Sequence, residues 1–302
     1  MISRPTVLIV GAGGSMPYEF PSGDRLLRNI CEFLNPDIET AEKKMLTSMN
    51  IDVAELHRLR DDLLRSGAPS IDDFLSTRLE LVDCGKKVIA CALIQHERPP
   101  HVTGRGATSN WYQYLWTQLK TVTPDKLGAN RITILTFNYD RSLEYYLLHA
   151  ICGTWGIPEV EAAQHLARIQ IIHLHGQLGR LQQLDPGGRV FSNLLSPENI
   201  ALAASGITII DEADEGNKEF DSARAALEVA AEVCFLGFGY HATNLRRLRL
   251  TPKNGRSIWG TSLGMTDAET GHVNNNFFGG QCSFSRMNIL DFFRNNGVLL
   301  RN

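Results

Sequence analysis

Thr6-Val-Leu-Ile-Val10, followed at once by Gly11-Ala-Gly-Gly-Ser15, is the stretch of the sequence that decides the fold. A continuous apolar run of this kind is typical of a strand buried on both faces, as in a parallel sheet. Glycines directly after such a strand permit a tight turn in which backbone N–H groups face a phosphate. The stretch therefore predicts a central strand and a candidate nucleotide-binding loop.

Five further apolar runs predict strands of the same sheet, at residues 132–136, 170–174, 207–210, 233–236 and 257–259. Helical patterns separate them, including an Ala-rich stretch at Ala223–Glu232 and a helix that begins near Thr243. Strands that alternate with helices form a doubly wound, mostly parallel sheet. We therefore predict the α/β class and a Rossmann-like sheet.

Residues 24–128 follow a different pattern and predict a large helical insertion after the first strand. Ser70-Ile-Asp-Asp73 resembles a capping box at the start of a helix. We expect Pro99-Pro100 to end the second long helix and residues 111–119 to form a short helix. We expect one catalytic domain over 1–270 that contains this insertion. A C-terminal segment, 271–302, follows a loop marked by Asn274-Asn-Asn276 and Gly279-Gly280, and is expected to pack onto the domain or between subunits.

The composition excludes several classes of protein. Of 302 residues, 43% are hydrophobic, and 30 basic against 33 acidic side chains give a net charge of −3. Whole-chain disorder and coiled coil are excluded, and the charge balance argues against nucleic acid as the primary ligand and against membrane-surface binding. The apolar runs are too short for a signal peptide or a membrane span. We expect a cytoplasmic protein.

The six cysteines contain no CxxC pair, which excludes a four-cysteine zinc module. Such dispersed cysteines are typical of buried thiols in a reducing compartment. No metal ligand set is predicted.

Glycines and polar residues follow four of the predicted strands, at the edge where open parallel sheets bind ligands. They are Gly11, Ala12, Gly13 and Ser15, then Asn138 and Asp140, then His175 and Gly176, then Gly237 and Gly239. The set predicts a dinucleotide site with catalytic polar groups. Simpler roles stay open, because Asn138 or Asp140 can start a helix and His175, like His173, can be an ordinary buried histidine.

Two other readings are disfavoured by particular residues. Met16 stands at the third position of the dehydrogenase fingerprint G-x-G-x-x-G, which argues against an ordinary Rossmann oxidoreductase. The acidic run Asp211–Glu215 has no Glu-x-Lys pair and is expected to be a solvated loop, not a nuclease centre.

The order of these motifs resembles the sirtuin superfamily. Gly11-Ala-Gly-Gly-Ser15 is similar to its first phosphate-binding loop, Thr136-Phe-Asn-Tyr-Asp140 to its Thr-Gln-Asn-Ile-Asp segment, and Leu174-His-Gly176 to its catalytic His-Gly. Leu236-Gly-Phe-Gly239 lies where that family has a second nucleotide loop. The resemblance covers residues 6–245.

Within that superfamily, the chain most resembles the sirtuin-like NAD hydrolases (NADases) that act as effectors of bacterial anti-phage defence systems. Phe20-Pro-Ser-Gly23 with Leu26, Ser70-Ile-Asp-Asp-Phe-Leu75, and Phe238-Gly-Tyr-His241 with Asn244 are similar to motifs of this group. Deacetylases of the superfamily carry a zinc module and a Gly-Ile-Pro-x-Phe-Arg loop. Here no such module exists, and Met16-Pro-Tyr-Glu-Phe20 replaces the loop.

The resemblance implies hydrolysis of NAD to ADP-ribose and nicotinamide, without zinc. It implies that Asn138 orients ribose and water, that His175 acts as general base, since the ordinary pKa of a histidine is about 6.5, and that Asp140 orients the ribose or stabilises the cation. It also implies that the pyrophosphate contacts Gly11, Ala12, Gly13 and Ser15. The adenosine half is implied to contact Gly237, Gly239 and Asn244.

The resemblance also implies NAD depletion during anti-phage defence (abortive infection), a homo-oligomer, and a separate partner, either a ring-forming ATPase or an Argonaute-like protein. The alternatives are an NAD-dependent deacylase or ADP-ribosyltransferase, and a non-catalytic subunit that senses NAD or ADP-ribose.

Overall fold

The apolar run near the start of the chain forms the central strand of a six-stranded sheet. The computed structural model describes residues 1–104, 109–209 and 217–300. The strands are β1 (Thr6–Val10), β2 (Ile132–Thr136), β3 (Gln170–His173), β4 (Glu232–Leu236), β5 (Ser257–Thr261) and β6 (Cys282–Ser285). The α-helices in the described ranges are α1 (Gly23–Phe33), α2 (Ala41–Ser48), α3 (Val53–Ser66), α4 (Ile71–Thr77), α5 (Val82–Ile94), α6 (Pro99–Thr103), α7 (Trp111–Leu119), α8 (Ser142–Trp155), α9 (Glu159–Leu166), α10 (Pro197–Ser205), α11 (Lys218–Val229), α12 (Ala242–Leu248), α13 (Asp267–Phe277) and α14 (Ile289–Asn296).

The strand order is β3-β2-β1-β4-β5-β6, and all neighbouring strands are parallel. The chain winds outward from β1 in one direction and from β4 in the other, so the order reverses between these two strands. Such a reversal leaves a crevice at the carboxyl ends of the strands. The predicted doubly wound, parallel α/β sheet is confirmed.

The two faces of β1 are both buried, which explains its unbroken apolar sequence. Leu8 and Val10 pack into a core with α7, α8, α9 and α14, whereas Val7 and Ile9 face a core with α11, α12 and α13. Because successive side chains of a strand point to opposite faces, one strand serves both cores.

Seven helices, α1–α7, connect β1 to β2, in the region that the sequence predicts to be helical. Polar N-caps start several of them, and the Ser70 side chain accepts a hydrogen bond of 3.2 Å from the Asp73 amide, as predicted. Most of these helices enclose their own apolar cluster, to which α10 contributes. The insertion therefore has a core of its own beside the sheet.

The structure differs from the predicted elements in the second half of the chain. Ile207 makes only an isolated bridge with Gly176, and 208–209 are not in a strand, so the strand predicted at 207–210 is wrong over its described part. Residues 210–216, including Asp211–Glu215, lie outside the described residues. The Ala-rich helix ends at Val229, and Glu232 belongs to β4.

Two smaller predictions also fail. Pro99 and Pro100 begin α6 instead of ending a helix, which is the first-turn position where proline is tolerated. The asparagines at 274–276 lie inside α13, and only Gly279 and Gly280 form a turn, both with positive φ.

The C-terminal segment supplies β6, which the sequence did not predict. Cys-Ser-Phe-Ser has little of the β-branched composition that marks a strand, but it pairs with β5 from Ile258 to Thr261. A boundary at residue 270 falls inside α13. Phe292 and Phe293 are fully buried in the core that contains Trp111. These two side chains and Leu299 therefore pack within the chain, whereas Leu300 is exposed.

Candidate functional site

A cavity of about 1070 Å³ opens at the carboxyl ends of the strands, where the strand order reverses. Its walls come from the loops after β1, β2, β3, β4 and β5 and from the start of α4. Small-molecule sites typically measure ~300–1,000 Å³, so this volume suits a ligand as long as a dinucleotide. The predicted residues that line the cavity are Gly11, Ala12, Gly13, Asn138, His175, Gly237, Gly239 and Asn244.

The two glycine loops pack backbone against backbone at the floor of this cavity. The Gly11 amide donates to the Leu236 carbonyl at 3.0 Å, and the Gly13 amide donates to the Gly237 carbonyl at 2.9 Å. Gly237 has a φ of +57°, and a Cβ atom there would lie 2.4 Å from backbone atoms of Gly13 and Gly14. Only glycine fits this approach.

The same hydrogen bonds change the role expected of the first loop. The amides of Gly11 and Gly13 are already used inside the protein, and the Ser15 amide donates to the Ala12 carbonyl at 3.1 Å. Ser15 is buried behind the cavity wall, with 2% of its surface exposed. Gly11 and Gly13 therefore shape the floor, and Ser15 acts inside the protein instead of facing the cavity.

Asn138 is held at four points. Its Nδ2 atom donates to the Gly11 carbonyl at 3.0 Å and to the Ser15 hydroxyl at 2.9 Å. Its amide donates to Thr136 Oγ1, and His173 Nδ1 hydrogen-bonds to its carbonyl, both at 3.0 Å. Both side-chain N–H groups are thus occupied by the protein. The group left for a ligand is the Oδ1 acceptor.

Asp140 lies behind the cavity and does not line it. It is 8% exposed and accepts hydrogen bonds from the amide and the hydroxyl of Ser142 at the start of α8. It also bonds to Ser15, and burial raises the pKa of its carboxyl group. Of its two predicted roles, the structure favours the helix start. Through Ser15, Asp140 also supports Asn138.

A buried pair, His173 and Glu144, lies beneath Asn138. His173 Nε2 is 2.5 Å from Glu144 Oε1. Burial alone would lower the pKa of His173, but the Glu144 carboxylate outweighs it and raises that pKa. Burial likewise opposes the charge on Glu144, yet His173 lowers the pKa of the carboxyl group. Each group therefore favours the charged form of the other, and His173 Nδ1 holds the Asn138 backbone.

A second buried ion pair fastens the insertion to the loop after β2. The Glu97 carboxylate accepts hydrogen bonds of 2.7–2.9 Å from Arg141 and one of 2.5 Å from Arg189. The side chains of Glu97 and Arg141 are fully buried, and that of Arg189 is 1% exposed. Arg141 directly follows Asp140, so this cluster stabilises the segment that carries Asn138.

His175 lines the cavity at the end of β3, and 8% of its side chain is exposed. Its Nδ1 atom lies 3.6 Å from Asp72 Oδ1, on α4 of the insertion. Its Nε2 atom is buried and has no hydrogen-bond partner among the described residues. Asp72 belongs to the capping pattern and to the Ser70-Ile-Asp-Asp-Phe-Leu75 motif, but neither pattern signals its proximity to a histidine 103 residues away.

Residues at the end of β5 and directly after it complete the cavity and were not predicted as site residues. Thr261 Oγ1 accepts a hydrogen bond of 2.8 Å from the Gly237 amide. The Ser262 hydroxyl is buried and has no partner in the described part of the chain. The sequence signal was present, since Gly260-Thr-Ser262 directly follows a predicted strand. From α12, Asn244 and the basic residue Arg247 also line the cavity.

The described ranges contain no group of three or more His, Cys, Asp or Glu side chains that could hold a metal ion. None of the six cysteines forms a disulfide, and all except the half-buried Cys152 are buried. Over the same ranges, no helix has the length and apolar character needed to cross a membrane.

Solved structures resemble this chain over nearly its whole length, but weakly. A crystal structure of Sir2 in complex with an inhibitor, 2'-O-acetyl-ADP-ribose and a deacetylated peptide is 13% identical, with a TM-score of 0.41 over 98% of this chain and 95% of that chain. A structure of Sir2Tm bound to a propionylated peptide is 14% identical, with a TM-score of 0.40 over 98% and 94%. Similarity this low carries no conclusion about function. No family model and no curated protein matches the chain.

Proposed function

We propose that this protein binds NAD and hydrolyses the bond between nicotinamide and ribose. The observation that carries the proposal is the cavity at the reversal of strand order, which Asn138 and His175 line together with two glycine loops. An acceptor that is fixed in place can orient the attacking water, and a histidine can remove its proton.

The charges around the cavity suit the two ends of NAD. Asp72 and Asp73 lie on the α4 side with His175, and Arg247 lies on the α12 side. The pyridinium ring of NAD is positive and its pyrophosphate is negative. We therefore place nicotinamide toward the start of α4 and the phosphates toward α12, with the adenosine half near Gly237, Gly239 and Asn244.

In the reaction the C1′–N bond breaks, and its electron pair leaves with nicotinamide. Positive charge develops on the ribose, as in other glycosyl transfers. Asn138 Oδ1 accepts a hydrogen bond from the attacking water or from a ribose hydroxyl and holds it in position. His175 removes the proton as the new C1′–O bond forms. The products are nicotinamide, ADP-ribose and one proton.

We further propose that this hydrolysis depletes NAD during anti-phage defence and that the protein works as a homo-oligomer with a separate partner protein. Both statements derive from the motif resemblance of the sequence.

The test is direct. The purified protein is incubated with NAD, and nicotinamide and ADP-ribose are measured, with and without a candidate partner protein. We expect both products in equal amounts from the wild type and a large loss in Asn138→Ala and His175→Ala. Equal turnover by the wild type and these variants would refute the assignment. Turnover of an acylated peptide only when NAD is present would instead indicate a deacylase, and tight binding of intact NAD a sensor.

A further inference from the structure

His175 faces a carboxylate that comes from outside the sheet domain. Asp72 lies on α4, within the helical insertion, and its Oδ1 atom is 3.6 Å from His175 Nδ1. The hydroxyl of Tyr139 donates a hydrogen bond to the same oxygen. Tyr139 immediately follows Asn138, so the Asp72 carboxylate bridges the loops that carry both proposed catalytic side chains.

A carboxylate beside one imidazole nitrogen selects the tautomer of the ring. A neutral histidine next to Asp72 carries its hydrogen on Nδ1, because that hydrogen can point at the carboxylate. The lone pair is then on Nε2, the nitrogen that is buried without a partner among the described residues. When Nε2 accepts a proton, the ring becomes positive, and the adjacent carboxylate stabilises that charge.

We propose that Asp72 is a positioning residue that holds the His175 ring in its Nδ1–H tautomer and leaves Nε2 as the base. This inference rests on the proposed function for its catalytic consequence. It gives the helical insertion a part in the reaction, since the base on β3 works only when α4 is docked beside it. Tyr139 in turn holds the Asp72 carboxylate.

The first experiment measures NAD hydrolysis by Asp72→Asn, Asp72→Glu and Tyr139→Phe. General bases contribute ~10²–10⁴-fold to rates, so we expect Asp72→Asn to lower kcat about 10- to 100-fold with KM nearly unchanged. Asp72→Glu restores part of the rate because it restores the charge, and Tyr139→Phe causes a smaller loss of kcat. The matched control is Asp83→Asn, an acid on α5 that is 87% exposed and paired with Lys87.

The second experiment does not depend on turnover. Nitrogen-15 NMR of the imidazole reports which ring nitrogen carries hydrogen in the ligand-free protein. We expect the Nδ1–H form of His175 in the wild type and in Asp83→Asn, and a shift toward the Nε2–H form in Asp72→Asn. An unchanged tautomer in Asp72→Asn would overturn the inference, whatever the activity.

The two experiments separate the two proposals. If the wild type does not cleave NAD but the tautomer depends on Asp72, the proposed function fails and the pairing stands. If the wild type cleaves NAD and Asp72→Asn loses only substrate affinity, through KM alone, the carboxylate binds ligand and the positioning role is refuted.

Discussion

Asn138 Nδ2 donates a hydrogen bond of 3.0 Å to the Gly11 carbonyl, so that the ends of two neighbouring strands are joined by one side chain. A carbonyl oxygen can only accept a hydrogen bond, so the side chain at residue 138 must donate one. An amide does so and a carboxylate does not. We expect Asn138→Asp to be as inactive as Asn138→Ala, with NAD turnover reduced ~100-fold or more, since the isosteric carboxylate repels the Gly11 carbonyl and misplaces the acceptor. Nicotinamide release measures the loss.

The control for the two Asn138 variants is Asn254→Ala, because Asn254 is exposed in the turn before β5. It should turn over NAD at the wild-type rate. An active Asn138→Asp would show that the carbonyl contact does not orient the side chain.

The close approach of the two glycine loops predicts a large effect of one added methyl group. Gly237→Ala places a Cβ atom 2.4 Å from the Gly13 backbone and forces a positive φ on alanine. We expect the free energy of unfolding to fall by about 3 kcal/mol or more, with NAD binding lost. Urea denaturation and calorimetric titration measure the two effects.

Gly255 offers the matched control for backbone strain, since its φ is +80° and nothing lies within 4 Å of an added Cβ. Gly255→Ala should cost about 1 kcal/mol and leave NAD binding intact. Equal losses of unfolding free energy in Gly237→Ala and Gly255→Ala would show that the contact between the two glycine loops adds nothing to the cost of backbone strain.

The His173–Glu144 pair predicts a pH dependence of stability. The pKa of His173 is raised above its ordinary 6.5, so its contribution is complete below pH 6.5 and is lost as pH rises through the folded-state value. The pKa of Glu144 is lowered from 4.5, so its contribution is present above pH 4.5 and is lost on acidification. The free energy of unfolding should therefore decline above pH 6.5.

Chemical denaturation at several pH values tests this dependence in Glu144→Gln. The variant should lose the decline above pH 6.5 because its His173 has no carboxylate partner. Glu32→Gln, at an exposed residue of α1, should keep the wild-type profile. A wild-type profile in Glu144→Gln would mean that another group causes the decline.

The buried cluster around Glu97 predicts that a substitution in the helical insertion destabilises the folded protein. Glu97→Gln leaves Arg141 and Arg189 buried without a countercharge, and removal of one partner of a buried pair typically costs about 3–5 kcal/mol. Glu80→Gln, at a half-exposed partner of Arg58 and Arg78, should cost no more than about 1 kcal/mol. Comparable losses would indicate that the buried cluster gives no special stability.

Local patterns were enough to predict the sheet and several residues that line the cavity. The continuous apolar runs predicted five of the six strands, and the polar residues after β2 and β3 marked Asn138 and His175 before any contact was known. Prediction failed where a strand lacked that composition, as in β6, and where the short apolar run at 207–210 makes only an isolated bridge at Ile207 over its described residues.

Contacts between distant segments were beyond sequence patterns. Asp72 on α4 approaches His175 after β3, and Glu97, between α5 and α6, approaches Arg141 after β2. Ser15 looked like a phosphate ligand, since serine is common in such loops. Its burial beside Asn138 depends on how the first loop packs, and neither spacing nor composition encodes that packing.

The position of β1 in the sheet has a consequence for synthesis of the chain. Thr6 pairs with Ile132 on one side and with Glu232 on the other, about 226 residues later. At translation rates of ~5–20 residues per second, about 10–45 s pass between the synthesis of β1 and the synthesis of β4. During that interval its apolar faces are candidates for chaperone binding, so overexpression at low temperature with co-produced chaperones should raise the soluble yield.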